Sequence, residues 1–86
     1  MGNDSYPILC TASGTTTVGS CLLYGVAINK TTVGTVTVQE GATSVGAFAA
    51  STAVGSYFVL PNGTRFGNLE VVLSGADNVT IFVKKQ

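Results

Sequence analysis

Runs of β-branched and aromatic residues, each about four to eight long and each cut short by Gly or Asn, follow one another along almost the whole chain. That cadence leaves almost no helical signal, which needs apolar residues recurring every three or four positions. We read strands at Pro7–Ser13, Ser20–Asn29, Gly34–Glu40, Val45–Ala50, Ser56–Leu60, Thr64–Phe66, Leu69–Ser74 and Asn78–Lys84. About eight short strands in 86 residues predict an all-β fold, an antiparallel β-sandwich of jelly-roll or immunoglobulin-like type. A chain this short has room for a single such domain over residues 1–86.

Alternation assigns the faces, because successive side chains of a strand point to opposite sides. Val36 and Val38 alternate with Thr35, Thr37 and Gln39, giving one dry face and one wet one. Leu22, Tyr24, Val26 and Ile28 alternate with smaller residues and are expected inside. Leu69, Val71 and Leu73 are expected to face Val79, Ile81 and Val83 across a hairpin turned by Gly75-Ala76-Asp77, a common loop length. Val-Gly recurs four times at unequal spacings, which fits turn punctuation and not a fixed-period solenoid.

Some strands break the two-faced rule. Tyr57, Phe58, Val59 and Leu60 are apolar on both parities, as are Leu22, Leu23 and Tyr24, while Phe82 and Val72 are expected to point away from the core. A strand apolar on both sides is buried on both sides, so something must cover the second face. Loops of the same chain are one cover and a subunit interface is the other. For the group Tyr57, Phe58, Phe82 and Val72 we favour an interface, where aromatic residues are enriched.

Charge points the same way. Charged residues make up 9% of the chain, against roughly 25% in typical soluble domains. Lys30, Arg65, Lys84 and Lys85 are balanced by Asp4, Glu40, Glu70 and Asp77 for a net charge of zero. Few charges and no net charge favour association, so self-assembly, with a trimer favoured, is expected. The many Thr and Ser side chains leave open a solvated monomer. Four scattered cations give no stripe to neutralise a run of phosphates, so nucleic acid is not an expected partner.

No apolar run approaches the ~20 residues of a membrane-spanning helix. Met1–Tyr6 lacks the basic start and apolar core of a signal peptide and misses the myristoylation pattern at Tyr6. Synthesis in the cytoplasm is therefore expected. On that reading the four sequons at Asn3, Asn29, Asn62 and Asn78 are turn chemistry and not glycosylation sites.

Catalytic chemistry is not visible. The chain has no His, which removes the commonest general base and metal ligand and leaves Ser or Cys without its usual activator. The four carboxylates are far apart in sequence, and no motif pairs them. None of the eleven glycines precedes a helix that could cradle phosphate. Asp77-Asn78 offers one or two oxygens where a firm Ca²⁺ site needs about six to eight, so the expectation is a polar turn. No cofactor and no enzyme activity are expected.

Cys10 and Cys21 do not have zinc or redox spacing. If the first two strands form a hairpin turning at Thr15-Thr16, the two cysteines lie opposite one another. That geometry allows a cross-strand disulfide, but cytoplasmic synthesis favours reduced thiols packed side by side.

The stretch Gly25-Val26-Ala27-Ile28-Asn29, then Gly34-Thr35-Val36-Thr37-Val38, then Gly41 to Gly46 resembles a pattern in short tailed-phage proteins. The likeness continues through Pro61-Asn62-Gly63, Leu69–Gly75 and Asn78–Val83, covering roughly residues 18–84. Asn68-Leu69 after Arg65-Phe66-Gly67 departs from it, where relatives run from Asn-Gly straight into a strand. The resemblance implies a small virion-associated β-sandwich, similar to head decoration or cement proteins that sit on the capsid, often as trimers. It implies no catalytic residues. On that basis the expected role is a structural part of a phage particle, clamping the shell through contacts with its own copies and with the major capsid protein or another virion protein. The alternative is a tail or fibre module that recognises host-surface glycans, although a chain without Trp and with few Asp or Asn is poor in the groups such a site uses.

Overall fold

The computed structural model describes residues 5–11 and 13–85, and all of their side chains except those of Phe58 and Pro61. Among these residues the only regular elements are six strands: β1 (Tyr6–Cys10), β2 (Gly14–Ile28), β3 (Val36–Glu40), β4 (Thr43–Phe48), β5 (Tyr57–Leu73) and β6 (Val79–Lys85). They form one antiparallel sheet in the order β1-β6-β2-β5-β3-β4.

Two long strands organise it. β2 has 15 residues and β5 has 17, enough to run through both layers of a sandwich. Gly14–Gly19 of β2 pairs with Leu69–Leu73 of β5, and β3 and β4 extend that layer, while Thr64–Phe66 of β5 pairs with Cys21–Leu23 of β2 where the strands pass between layers. Cys21–Ile28 of β2 pairs with β6 on one side and, at Gly25–Ala27, with Tyr57–Val59 of β5 on the other. β1 then completes the second layer. We call these the β3 layer and the β6 layer.

The sequence explains where the strands bend. The β2–β5 register shifts at Gly19, next to Val18-Gly19-Ser20, and again between Leu23 and Gly25, where the β2–β6 register shifts too. Such bulges bend a strand and raise its local twist. On β5, Leu60–Gly63 fall between the partners of Gly25 and Leu23. Asn62 (φ 66°) and Gly63 (φ 77°) are both left-handed, a conformation that Gly and Asn tolerate best. The extra residues become a kink within the strand.

Between the layers lies one apolar cluster. Val36, Val38, Leu69, Val71 and Leu73 supply it from the β3 layer, and Leu23, Val26, Ile28, Val79, Ile81 and Val83 from the β6 layer. Phe48, Val18, Ile8 and Leu60 pack at its margins.

The all-β sandwich class is as expected from the sequence, but four details differ. Six strands replace about eight, because Ser56–Leu60, Thr64–Phe66 and Leu69–Ser74 fuse into β5 and β2 begins at Gly14. The expected β5–β6 hairpin does not form. Leu69, Val71 and Leu73 do oppose Val79, Ile81 and Val83, but across the core and not along a ladder. Leu22 points outward, because the irregularity at Tyr24 switches the inward set from Cys21 and Leu23 to Val26 and Ile28. The first two strands are not a hairpin either: β6 lies between them.

The placement of β6 between β1 and β2 separates the cysteines. Cys10 pairs with Val79 at one end of β6 and Cys21 with Lys85 at the other. The seven residues of β6 span roughly 20 Å at about 3.3 Å per residue, whereas a disulfide needs Cα atoms within about 7 Å. The thiols are free, buried and apart.

Candidate functional site: the outer face of the β6 layer

Register places the outward residues in rows. Across the β6 layer, Pro7, Phe82, Gly25 and Val59 form one row, and Leu9, Thr80, Ala27 and Tyr57 the next. A third row holds Lys84, Leu22 and Arg65. The inward positions between them carry Val26, Ile28, Val79 and Ile81, which are fully buried or nearly so. The outer face therefore receives the opposite parity, and in this layer that parity is also apolar.

Exposure shows how much is left uncovered. Tyr57 is 64% exposed, Leu9 61% and Val59 44%, with half-buried Phe82 between Leu9 and the pair on β5. A scattered apolar residue on a surface needs no explanation, but a contiguous apolar patch marks an interaction site. Gly25 and Ala27 leave β2 low between Phe82 on one side and Tyr57 and Val59 on the other. The face is thus a shallow trough with aromatic walls.

Of the interface residues expected from sequence, Tyr57 and Phe82 share this face. Val72 does not: it pairs with Thr15 and Thr37 on the outer face of the β3 layer. In a two-layer fold, pointing away from the core has two opposite meanings. The backbone of Phe58 pairs with Val26, and its side chain lies outside the described residues. Leu9 and Val59 were missed, although the signal was present: Leu9 alternates with inward Ile8 and Cys10, and Val59 shares the parity of Tyr57.

One doubly apolar segment is covered by its own chain. Tyr24 is 7% exposed, and its ring lies against Gly63 of the β5 kink. Leu22-Leu23-Tyr24 therefore needs no partner to cover the ring of Tyr24.

The strand edges are blunted. β1 carries Pro7, which has no N–H to offer a neighbour. β4 has a bulge at Val45, since Val38 pairs with Gly46 but Gln39 with Ser44. Edge prolines and bulges oppose strand-to-strand addition.

Other polar and reactive groups are structural. Asp77 is 1% exposed. Its Oδ1 accepts from the N–H of Val33 at 2.6 Å and of Gly34 at 3.4 Å, while its Oδ2 is buried without a partner. Asn78 Oδ1 accepts from Asn29 Nδ2 at 2.9 Å, so both residues of the Asp77-Asn78 turn tie loops together. Burial pushes the Cys10 thiol up, opposed by a hydrogen bond with Thr16. Burial also pushes Cys21 up, with Lys85 lowering it and Glu40 raising it. Neither thiol has the lowered pKa of a reactive cysteine.

A cleft of about 530 Å³ is lined from both layers by residues that include Leu23, Val38, Val45, Leu60, Phe66 and Glu40. Glu40 Oε1 accepts from the Gly67 N–H at 3.1 Å. Most of the lining is apolar, and Glu40, Thr64 and Arg65 are its polar members. Among the described residues, no three His, Cys, Asp or Glu side chains gather as metal ligands. No helix there is long and apolar enough to cross a membrane. Compared with known proteins, the chain matches no family model, no curated protein and no solved structure.

Proposed function

We propose that this chain is a non-catalytic structural protein that works by packing the outer face of its β6 layer against partner chains. The carrying observation is the set Leu9, Tyr57 and Val59, apolar and exposed, with half-buried Phe82 among them, on a protein whose buried core is already supplied by other residues. An aromatic-walled apolar patch matches the composition of an interface core. Blunting of β1 and β4 and scarce charge support packing through this face over strand addition at those two edges.

The partners proposed are further copies of this chain and, from the resemblance over residues 18–84, the capsid or another component of a phage particle. Decoration of a shell needs only adhesion and rigidity, and a sandwich with two shared strands is suited to that. Glycan recognition draws less support. Tyr57 offers an aromatic platform, but its row neighbours are Ala27, Thr80 and Leu9, with few polar groups to orient a sugar.

Sedimentation velocity at micromolar concentration tests the association. The expected result is an oligomer, with a trimer favoured, that dissociates on Tyr57→Ala. Incubation with purified shells of the source phage tests the location: the chain should co-sediment with them and raise their rupture temperature. A monomer that leaves the shells unchanged would refute this reading.

A further inference from the structure

We infer that two copies join edge to edge, antiparallel, along Tyr57–Val59 of β5, so that their β6 layers merge into one continuous sheet. This rests on the proposed self-association and names the contact that makes it.

β1 and β4 are blunted, but the β6 layer ends in a third stretch of edge. The order across that layer is β1, β6, β2 and then Tyr57–Val59 of β5, whereas β3 pairs with β5 only at Leu69–Leu73. Hydrogen bonds show which way this edge points. Ile28 donates its N–H to the Ser56 carbonyl at 2.8 Å, and its own carbonyl accepts from the Gly55 N–H at 2.9 Å. Ile28 therefore turns its polar groups toward β5, and so does Val26, two residues away in an unbroken register. Phe58, opposite Val26, directs its N–H and C=O back to β2. Successive residues of a strand alternate, so the N–H and C=O of Tyr57 and Val59 point out of the sheet. Both residues are exposed, and among the described residues no partner meets these groups. The described chain enters β1 at the opposite edge of the layer and leaves β6 beside Cys21, so neither end of it lies along this edge.

The run Tyr57-Phe58-Val59-Leu60 carries no Lys and no Pro, the residues that commonly guard an edge. Its aromatic and β-branched side chains favour strand pairing. A second copy fits it by symmetry. With Phe58 opposite Phe58 on a two-fold axis, Tyr57 of each copy stands opposite Val59 of the other. Both members of each pair point at one another, so each pair exchanges its N–H and C=O groups in full. The same register sets Tyr57 beside Val59 of the other copy on the outer face, an aromatic and β-branched cross-strand pair. The two residues then cover each other. Pro61 has no N–H to extend the ladder past Leu60, and the contact closes as an isologous pair. The two apolar troughs become one wider trough, the surface offered to a further partner.

Substitution at Val59 tests it. Val59→Pro removes an N–H that the chain's own ladder does not use, whereas Val59→Ala trims the side chain and keeps that N–H. In sedimentation velocity at micromolar concentration the parent should be a dimer, where the resemblance over residues 18–84 favours a trimer. Val59→Pro should associate at least about tenfold more weakly than Val59→Ala, a change of about 1.4 kcal/mol, with circular dichroism checking that both fold. A second measurement decides if Val59→Pro unfolds. Tyr57→Cys and Val59→Cys chains, mixed and oxidised, should cross-link faster than either chain alone. Positions 57 and 59 of two copies face each other across about 5.5 Å between Cα atoms, within disulfide reach, while like positions are offset diagonally. If a folded Val59→Pro associates like Val59→Ala, or the mixture cross-links no faster than its components, the contact is not this edge. The inference then fails while self-association stands, and a trimeric parent has the same meaning. A monomeric parent removes the reading on which it rests.

Discussion

The ring of Tyr24 lies so close to Gly63 that a Cβ on Gly63 would come within 2.9 Å of the ring edge. Gly63 also has a left-handed φ of 77°. The two residues lock the kink of β5 over the bulge of β2, at the place where both long strands pass from one layer to the other. Gly63→Ala combines a positive-φ penalty with overpacking and should cost about 1 to 3 kcal/mol. Urea denaturation should show a lower midpoint with an intact β spectrum. Tyr24→Phe keeps the ring and should stay close to the parent.

Asp77 makes a second lock, between the loop before β3 and the loop before β6. Asp77→Ala strands the Val33 and Gly34 N–H groups and should cost about 1 to 3 kcal/mol for the unsatisfied donors. Asp77→Asn keeps an acceptor for both and removes the charge whose second oxygen has no partner, so it should be much milder. Thermal midpoints of the two variants, measured together, check the order. Equal losses would mean that the charge, not the acceptor, holds the loops.

The thiols give a pH dependence with a definite sign. Burial raises both pKa values in the folded chain, so the folded state holds these protons more tightly than the unfolded state does. Stability is fully present below the ordinary thiol pKa and falls as the pH rises through it toward the raised folded values. Replacing both residues, Cys10→Ala with Cys21→Ala, should flatten that alkaline decline. Thiol titration should find two free thiols in denaturant and slow reaction in the native protein.

Aromatic truncations separate fold from contact. Phe66 is 5% exposed and belongs to the core, so Phe66→Ala should cost about 3 to 5 kcal/mol of stability. Tyr57→Ala should leave the denaturation midpoint nearly unchanged and weaken association by about 2 kcal/mol or more. Phe82→Ala should resemble Tyr57→Ala, with a modest loss of stability because the ring is half-buried. Denaturation and sedimentation on the same samples check both halves.

Inwardness was legible in the sequence and pairing was not. Val36 and Val38, Leu69 to Leu73 and Val79 to Val83 announce their buried sides by strict alternation, which depends only on local geometry. Partner choice depends on the whole chain. A short loop such as Gly75-Ala76-Asp77 suggests a hairpin, yet here the chain crosses from one layer to the other. Pro61-Asn62-Gly63 has the composition of a reversing turn, and only its placement against Tyr24 makes it a kink. The proposed contact face was half legible for the same reason: parity put Phe82 outward and allowed only one of Tyr57 and Phe58 inside, but which of those two it is, and which outside Val72 faces, depends on which layer owns each strand.

The strands that serve both layers also decide how the protein bears a load. In a sandwich of two separate sheets, lateral force can slide one sheet over the other by breaking side-chain contacts alone. Here β2 and β5 run unbroken from layer to layer and pair with each other along both arms. Sliding must strain covalent backbone and a shared ladder of hydrogen bonds acting together. The fold resists in-plane stretch as a single bent plate.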